Sequence, residues 1–265
     1  MIDSFISINS YFAQMRRTWI PRLSNYSNNQ IEIIFIIAVH ENEAEALNKT
    51  IEESKNFKDL LVLNLKDSYR MWTIKTLSVM DYIVSRCSSE IGPNATYPLF
   101  LRLTQDVLIN PKSLLNLFLK LSINATQRFC AGRTINGGVL RSPESIWYVP
   151  EYVYNSVTYG EYCQGCGFFV SFPAMVELVQ YGYCLNSVMY IDDGVITGIM
   201  REKLKIELIK TPLECVNLKE YILQSIAVNE SASKYKEYSI LHNQPQINPN
   251  EYDQIWNYLL LYNLL

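Results

Sequence analysis

Residues 31–39 read Ile-Glu-Ile-Ile-Phe-Ile-Ile-Ala-Val, a nearly continuous apolar and largely β-branched run. Such a run predicts a strand buried on both faces of a parallel sheet, which requires helices on either side. From Glu41 to Ser54, Ala44, Leu47 and Ile51 recur at helical spacing, and Leu60-Leu61-Val62-Leu63 supplies a second strand. Asp67 suits an N-cap, so a long helix is expected from there to about Cys87, with Met71, Ile74, Leu77 and Val84 on its apolar face. Phe100 to Leu103 reads as the next strand, and Pro111 fits the first turn of a helix running to about Leu121. This alternation predicts an α/β fold with a doubly wound sheet. Ligands of such sheets bind beyond the carboxyl ends of the strands, where His40, Asn64 and Asp106 fall. After Arg133 the pattern turns irregular and aromatic, with Trp147, Tyr148, Tyr152, Tyr154, Tyr159, Tyr162, Phe168 and Phe169, and reads as a smaller mixed sheet with loops suited to an acceptor.

Composition narrows the class. With 265 residues, 49% apolar and 18% charged, the chain can bury a large core and is expected to form one domain. A net charge of −3 leaves no electrostatic footprint for a polyanion, so nucleic acid is not an expected partner. No segment approaches the ~18 to 20 consecutive apolar residues that span a bilayer, and residues 1–10 lack the charge and apolar centre of a signal peptide. Asn25, Asn48, Asn94, Asn124 and Asn229 each begin an Asn-x-Ser/Thr sequon, which a secretory protein would use and an Asn-rich chain also makes by chance. Six cysteines permit up to three disulfides. Cys163-Gln164-Gly165-Cys166 has the spacing of a redox or zinc pair, but no second pair accompanies it, leaving lumenal disulfides or buried thiols as the expectation.

Five segments in fixed order carry the chemistry: Met15-Arg16-Arg17-Thr18-Trp19, Asp67 to Thr76, Arg102 to Asn110, Tyr159 to Ser171, and Asp192-Asp193. Together they resemble the inverting β-1,3-galactosyltransferase and β-1,3-N-acetylglucosaminyltransferase family, from about Arg16 to the C-terminus. The resemblance implies a GT-A-type, Rossmann-like mixed sheet flanked by helices. A nucleotide-binding half would span about 16–125, and an acceptor half with a smaller sheet about 126–265. It implies transfer of galactose or N-acetylglucosamine from a UDP-sugar, in β-1,3 linkage, to a glycan, glycoprotein or glycolipid acceptor, as in protein glycosylation. The implied cofactor is Mn²⁺ or another divalent cation. Family members act in the Golgi lumen, held by an N-terminal membrane anchor that this sequence does not show.

Sugar transfer from a nucleotide diphosphate needs a hold on the diphosphate, neutralisation of the departing UDP and a base for the acceptor hydroxyl. Hard divalent ions prefer carboxylate and phosphate oxygens, so Asp106 at a strand end is the metal candidate. It matches the third acid of the family's Asp-Asp-Asp motif. Thr104 and Gln105 replace the other two, which should weaken metal affinity while leaving hydrogen-bonding groups for a ribose. Ile240-Leu241-His242, followed by Pro249, Tyr252 and Trp256, resembles the family's closing pattern and makes His242 a second metal ligand. Asp193 matches the catalytic base and Asp192 its supporting acid; Gly194 replaces the usual Val and would loosen the backbone there. Arg16, Asp67 and Lys75 match positions around the nucleotide. Gly165 and Gly167, in Tyr162-Cys163-Gln164-Gly165-Cys166-Gly167-Phe168, would floor the donor sugar. Glu53, Phe57 and Asp59 follow the family's Glu-x-x-x-Tyr-x-Asp as a structural match, and Tyr69 and Trp72 read as core of the long helix.

Blander readings stand beside these. Asp106 could serve as a cap for the helix after Asn110, Asp192-Asp193 as an acidic turn capping the next helix, and His242 as a surface or core histidine. At the level of the whole chain, the alternatives are a catalytically weakened relative that binds UDP or glycan without turnover, and a lectin-like secretory module. The former rests on Thr104 and Gln105; the latter predicts glycan affinity indifferent to UDP and metal.

Overall fold

The computed structural model describes residues 11–28, 30–40, 42–89, 91, 97–185, 188–213, 240–242 and 249–261. They group into two compact units: one formed by the chain up to Leu65, Leu103–Lys120 and the chain from Pro212, the other by Lys66–Arg102 and Leu121–Thr211.

In the first unit, β1 (Phe35–Ala38) and β2 (Leu60–Leu63) run parallel, with Phe35 opposite Leu60 and Ala38 opposite Leu63. The strand expected over 31–39 is shorter because its partner is only four residues long: pairing begins with Phe35 N–H on Asp59 O and ends with Val39 N–H on Leu63 O. The crossover helix α3 (Ala44–Phe57) stops at Lys58, whose φ of 57° closes the end with a bond to Ser54 O. The helical residues 11–17 (α1) and α2 (Trp19–Tyr26) bury Phe12, Met15, Trp19 and Leu23, and Phe12 stacks on Phe35 at 4.1 Å between ring centroids. The short strand β4 (Val107–Ile109), not foreseen from the sequence, pairs antiparallel with β8 (Ile240–His242) and is fully buried. The last helix, α7 (Pro249–Leu261), presents buried Tyr252, Trp256 and Leu259 at i, i+4 and i+7, and Tyr252 OH donates to Val107 O at 3.3 Å. The helix opened by Pro111, α5 (Pro111–Ser122), is capped by Asn110, whose Oδ1 accepts from Ser113 N–H at 3.1 Å. Asp106 is therefore not its cap.

The second unit is built on a four-stranded sheet in the order β3-β6-β5-β7, comprising β3 (Leu99–Leu103), β5 (Phe129–Gly138), β6 (Thr158–Ser171) and β7 (Glu207–Lys210). β5 and β6 are antiparallel, with register shifts near Thr134 and Gly138, while β5 and β7 are parallel. The α/β reading with a mixed sheet flanked by helices holds, but among the described residues the strands form three hydrogen-bonded groups rather than one continuous doubly wound sheet. Helices α4 (Trp72–Cys87) and α6 (Phe172–Tyr183) contribute Met80, Met175 and Leu178 to a core shared with Phe168, Val170, Ile196 and Met200. A Cβ on Gly182 would lie 3.2 Å from Leu77 Cδ1, so a small residue permits this helix pair to approach. Asp67 does not cap the long helix. A 3₁₀ turn (Tyr69–Met71) precedes it, capped by Ser68, whose hydroxyl accepts from Arg70 N–H.

Candidate active site

The acidic pair opens an unusual element. Asp192 precedes an eight-residue π-helix (Asp193–Met200) that is apolar and buried along nearly its whole length. π-helical turns are rare and concentrate at functional sites. Thr197 ties this one to the sheet, donating its hydroxyl to Asp193 O at 2.7 Å and accepting from Cys163 N–H at 2.9 Å.

The two carboxylates have different environments. Asp192, 6% exposed, accepts from Thr76 Oγ1 at 3.0 Å and from Arg102 Nη2 at 2.8 Å. Arg102, itself buried, also donates through Nη1 to Gly165 O, with its guanidinium carbon 5.0 Å from the Trp72 ring centroid and 5.8 Å from that of Phe168. Among the described residues no cation is bonded to Asp193; Gly194 N–H donates to its Oδ1 at 2.8 Å. Burial, followed by the negative charge of Asp192, raises its pKa to about 6. Carboxylates pushed toward neutrality in this way are suited to general-base work.

Glycines and aromatics shape the surroundings of Asp193. A Cβ on Gly165 would lie 2.7 Å from Asp193 Oδ2, so the strand reaches the carboxylate only because position 165 has no side chain. Gly194 does not loosen the backbone as expected; it is buried under the Tyr159 ring, and a Cβ there would be 3.0 Å from Tyr159 Cγ. One turn on, Gly198 admits Tyr159 O and Tyr162 in the same way. Tyr159 stacks on Tyr154 at 5.7 Å and meets Tyr162 edge-on. Burial, with a smaller contribution from Asp193, raises the Tyr159 phenol to about 12 and that of Tyr162 higher still, keeping both neutral at physiological pH. Gly167 is buried within β6 beside Phe168, which pairs with Gly132.

Lys75 forms an ion pair with Asp67 and lies 5.3 Å from the Trp72 ring centroid. Trp72 and Tyr69 are therefore not simply helix core: Trp72 stacks on two cations, and Tyr69 packs edge-on against Tyr190 at 6.3 Å. Cys163 is a buried free thiol while Cys166 is disulfide-bonded, so the two do not form a redox pair with each other. Cys215 lies outside the described residues, as do the sequons at Asn94 and Asn229.

In the first unit, Thr104, Gln105 and Asp106 form the turn between β3 and β4. Val107 is paired with His242, which places Asp106 one residue from the register position of the histidine. The His242 side chain lies outside what the structure describes. Asp106 also faces Tyr11: after burial, its charge is the second cause of the raised Tyr11 pKa. Among the described residues, no three His, Cys, Asp or Glu side chains converge as a metal-ligand set.

Arg16, which the resemblance puts beside the nucleotide, pairs its guanidinium with two carboxylates. Nε and Nη2 donate to Asp59 and Nη1 to Glu53, each at 2.7 Å, with the Phe57 ring centroid 3.9 Å away. The Arg16 motif and the Glu53-Phe57-Asp59 pattern are thus two sides of one ion-paired cluster. Its side chains are 13 to 23% exposed, so Arg16→Met is expected to cost about 2–3 kcal/mol, somewhat below the loss from breaking a fully dry pair. Urea unfolding measures this.

Arg102, Thr76, Tyr159 and Tyr162 lie within the quoted segments but carry no role from sequence alone; the structure brings them to the acid pair. A signal for the first existed: Leu99-Phe100-Leu101-Arg102-Leu103 places a lone cation in an apolar strand, which demands a buried acid.

Comparison with known proteins now bears on this geometry. The Galactosyltransferase family model matches residues 13–212, three quarters of the chain. The chain belongs to the galactosyltransferase family. Its family membership extends through relatives such as mouse beta-1,3-galactosyltransferase 1, which is 28% identical over 244 residues, covering 92% of this chain and 68% of that protein. Human beta-1,3-galactosyltransferase 2 is 26% identical over 247 residues, covering 92% of this chain and 54% of its own length. The matched span of this galactosyltransferase-family chain includes the acid pair, Arg102, and Gly165 and Gly167 of β6. No helix among its described residues is long and apolar enough to cross a membrane.

Proposed function

We propose that this chain is an inverting glycosyltransferase that moves galactose from a UDP-sugar to a glycan acceptor in β-1,3 linkage, with Asp193 as the base. The observation that carries the reading is the asymmetry of the acid pair. Asp192 is ion-paired with Arg102 and accepts from Thr76, whereas Asp193 is desolvated, with no cation bonded to it among the described residues, and raised to about 6. In a single displacement the Asp193 carboxylate takes the proton of the acceptor hydroxyl as that oxygen bonds to C1 and the C1–O bond to UDP breaks. Two negative charges held side by side favour proton uptake by the member without a cation partner.

Asp106 and His242, from their adjacent register positions, are the residues that would hold a divalent ion, and Thr104 and Gln105 would hydrogen-bond the donor. Such an ion, when bound, would neutralise charge on the leaving diphosphate; hard ions commonly take one or two protein ligands and complete their shell with phosphate oxygens and water. We place the reaction in the Golgi lumen, and the disulfide at Cys166 supports an oxidising compartment. A second reading, UDP binding without turnover, is favoured by Thr104 and Gln105 alone.

Calorimetric titration of UDP with and without Mn²⁺, followed by an assay of transfer from UDP-galactose and UDP-N-acetylglucosamine to glycan acceptors, tests the proposal. Metal-dependent UDP binding with galactose transfer is the expected result. Binding without transfer selects the second reading, and no UDP binding in either condition overturns both.

A further inference from the structure

We infer that Arg102 is a positioning residue that holds Asp193 in register by clamping both walls of the slot in which it sits. The inference rests on the proposed role of Asp193. One wall is Asp192, its chain neighbour, bonded to Arg102 Nη2 at 2.8 Å; the other is Gly165, whose carbonyl accepts from Nη1 and whose Cα faces Asp193 Oδ2. A planar guanidinium suits this task because two of its nitrogens can serve separate acceptors while rings, here Trp72 and Phe168, pack against it. A lysine would supply the charge but not the two fixed directions. Thr76, from α4, donates to the same Asp192 Oδ2 that Arg102 binds, so the acid wall is pinned from two elements.

Among the described residues, the ionisable groups facing Asp193 are Asp192 on its own element, Arg102 from β3, Tyr159, Tyr162 and Cys163 from β6, and Tyr69 from the 3₁₀ turn. Arg102 is the cation among them that favours the ionised form of Asp193.

The test is ¹³C-carboxylate NMR titration of Asp193, assigned with Asp193→Asn, alongside steady-state transfer kinetics in Arg102→Gln, Arg102→Lys and Thr76→Val. In Arg102→Gln the Asp193 midpoint should rise by about one pH unit, and kcat should fall about 100-fold with little change in donor KM. Arg102→Lys should restore the midpoint but not the full kcat, because charge returns without the two-point clamp. Thr76→Val, nearly isosteric, should lower kcat about tenfold with donor KM unchanged, and with Arg102→Lys it decides the matter if Arg102→Gln does not fold. A midpoint and kcat equal to wild type, with only the melting temperature lowered, would overturn the inference. Absence of transfer by the wild type would instead remove the proposed function, while the NMR titration would still judge Arg102.

Discussion

Asp193→Asn is expected to lower sugar transfer by about 10²–10⁴-fold while leaving UDP affinity nearly unchanged. The substitution keeps the acceptor for Gly194 N–H but removes the group that takes the proton. A large loss of UDP binding would move Asp193 out of the base role. The wild-type enzyme should lose kcat/KM as pH falls through about 6, because protonated Asp193 cannot act as base, and this acid limb should vanish from the residual activity of the variant. Stability should move the other way. The folded-state pKa lies above the ordinary 3.8, so the native state binds more protons between those values. The stability contributed by this group is full below pH 4 and is lost as pH rises through about 6. At neutral pH the charge therefore costs stability, on the order of 3 kcal/mol, and Asp193→Asn should melt higher than wild type. Thermal unfolding at pH 5 and pH 7.5 checks the sign, the gain being larger at 7.5.

Gly165→Ala is expected to cost about 100-fold in kcat although it adds one methyl group. That methyl would stand 2.7 Å from Asp193 Oδ2, so either the strand or the carboxylate must shift, and Gly165 O, which accepts from Arg102, shifts with it. Displacing a reacting group by about 1 Å is enough for a loss of this size. Donor KM separates two views of this glycine. A glycine flooring the sugar site would raise KM on substitution, whereas one packed on the base lowers kcat first, and the geometry favours the second.

Much of the scaffold was legible because its signals are local. The β1 run, the Leu60–Leu63 strand and the Pro111 helix each follow from short stretches whose periodicity or turn chemistry is decided within a few residues. The acid pair was equally visible, since a Asp-Asp between apolar Ile191 and Gly194-Val195-Ile196 must be either a turn or a site. The errors came where a short-range rule met a stronger local competitor. Ser68, one residue past Asp67, sits at the N-cap while Asp67 pairs with Lys75. Gly194 reads as freedom from sequence, but the Tyr159 ring lying on it makes it a fit.

The chain alone determined that an α/β fold carries an acidic pair, a single strand-end acid and a glycine-bearing strand in family order, because residue type and spacing are written in the sequence. Tertiary structure decided which acid is ion-paired and which is desolvated beside it. It brought Thr76 and Arg102 to Asp192 across 116 and 90 positions of chain, and Gly165 to Asp193. It likewise spent Arg16 on Glu53 and Asp59. The physical reason is that burial and charge pairing set a carboxylate's chemistry within a few ångströms, and those distances exist only once the chain has folded.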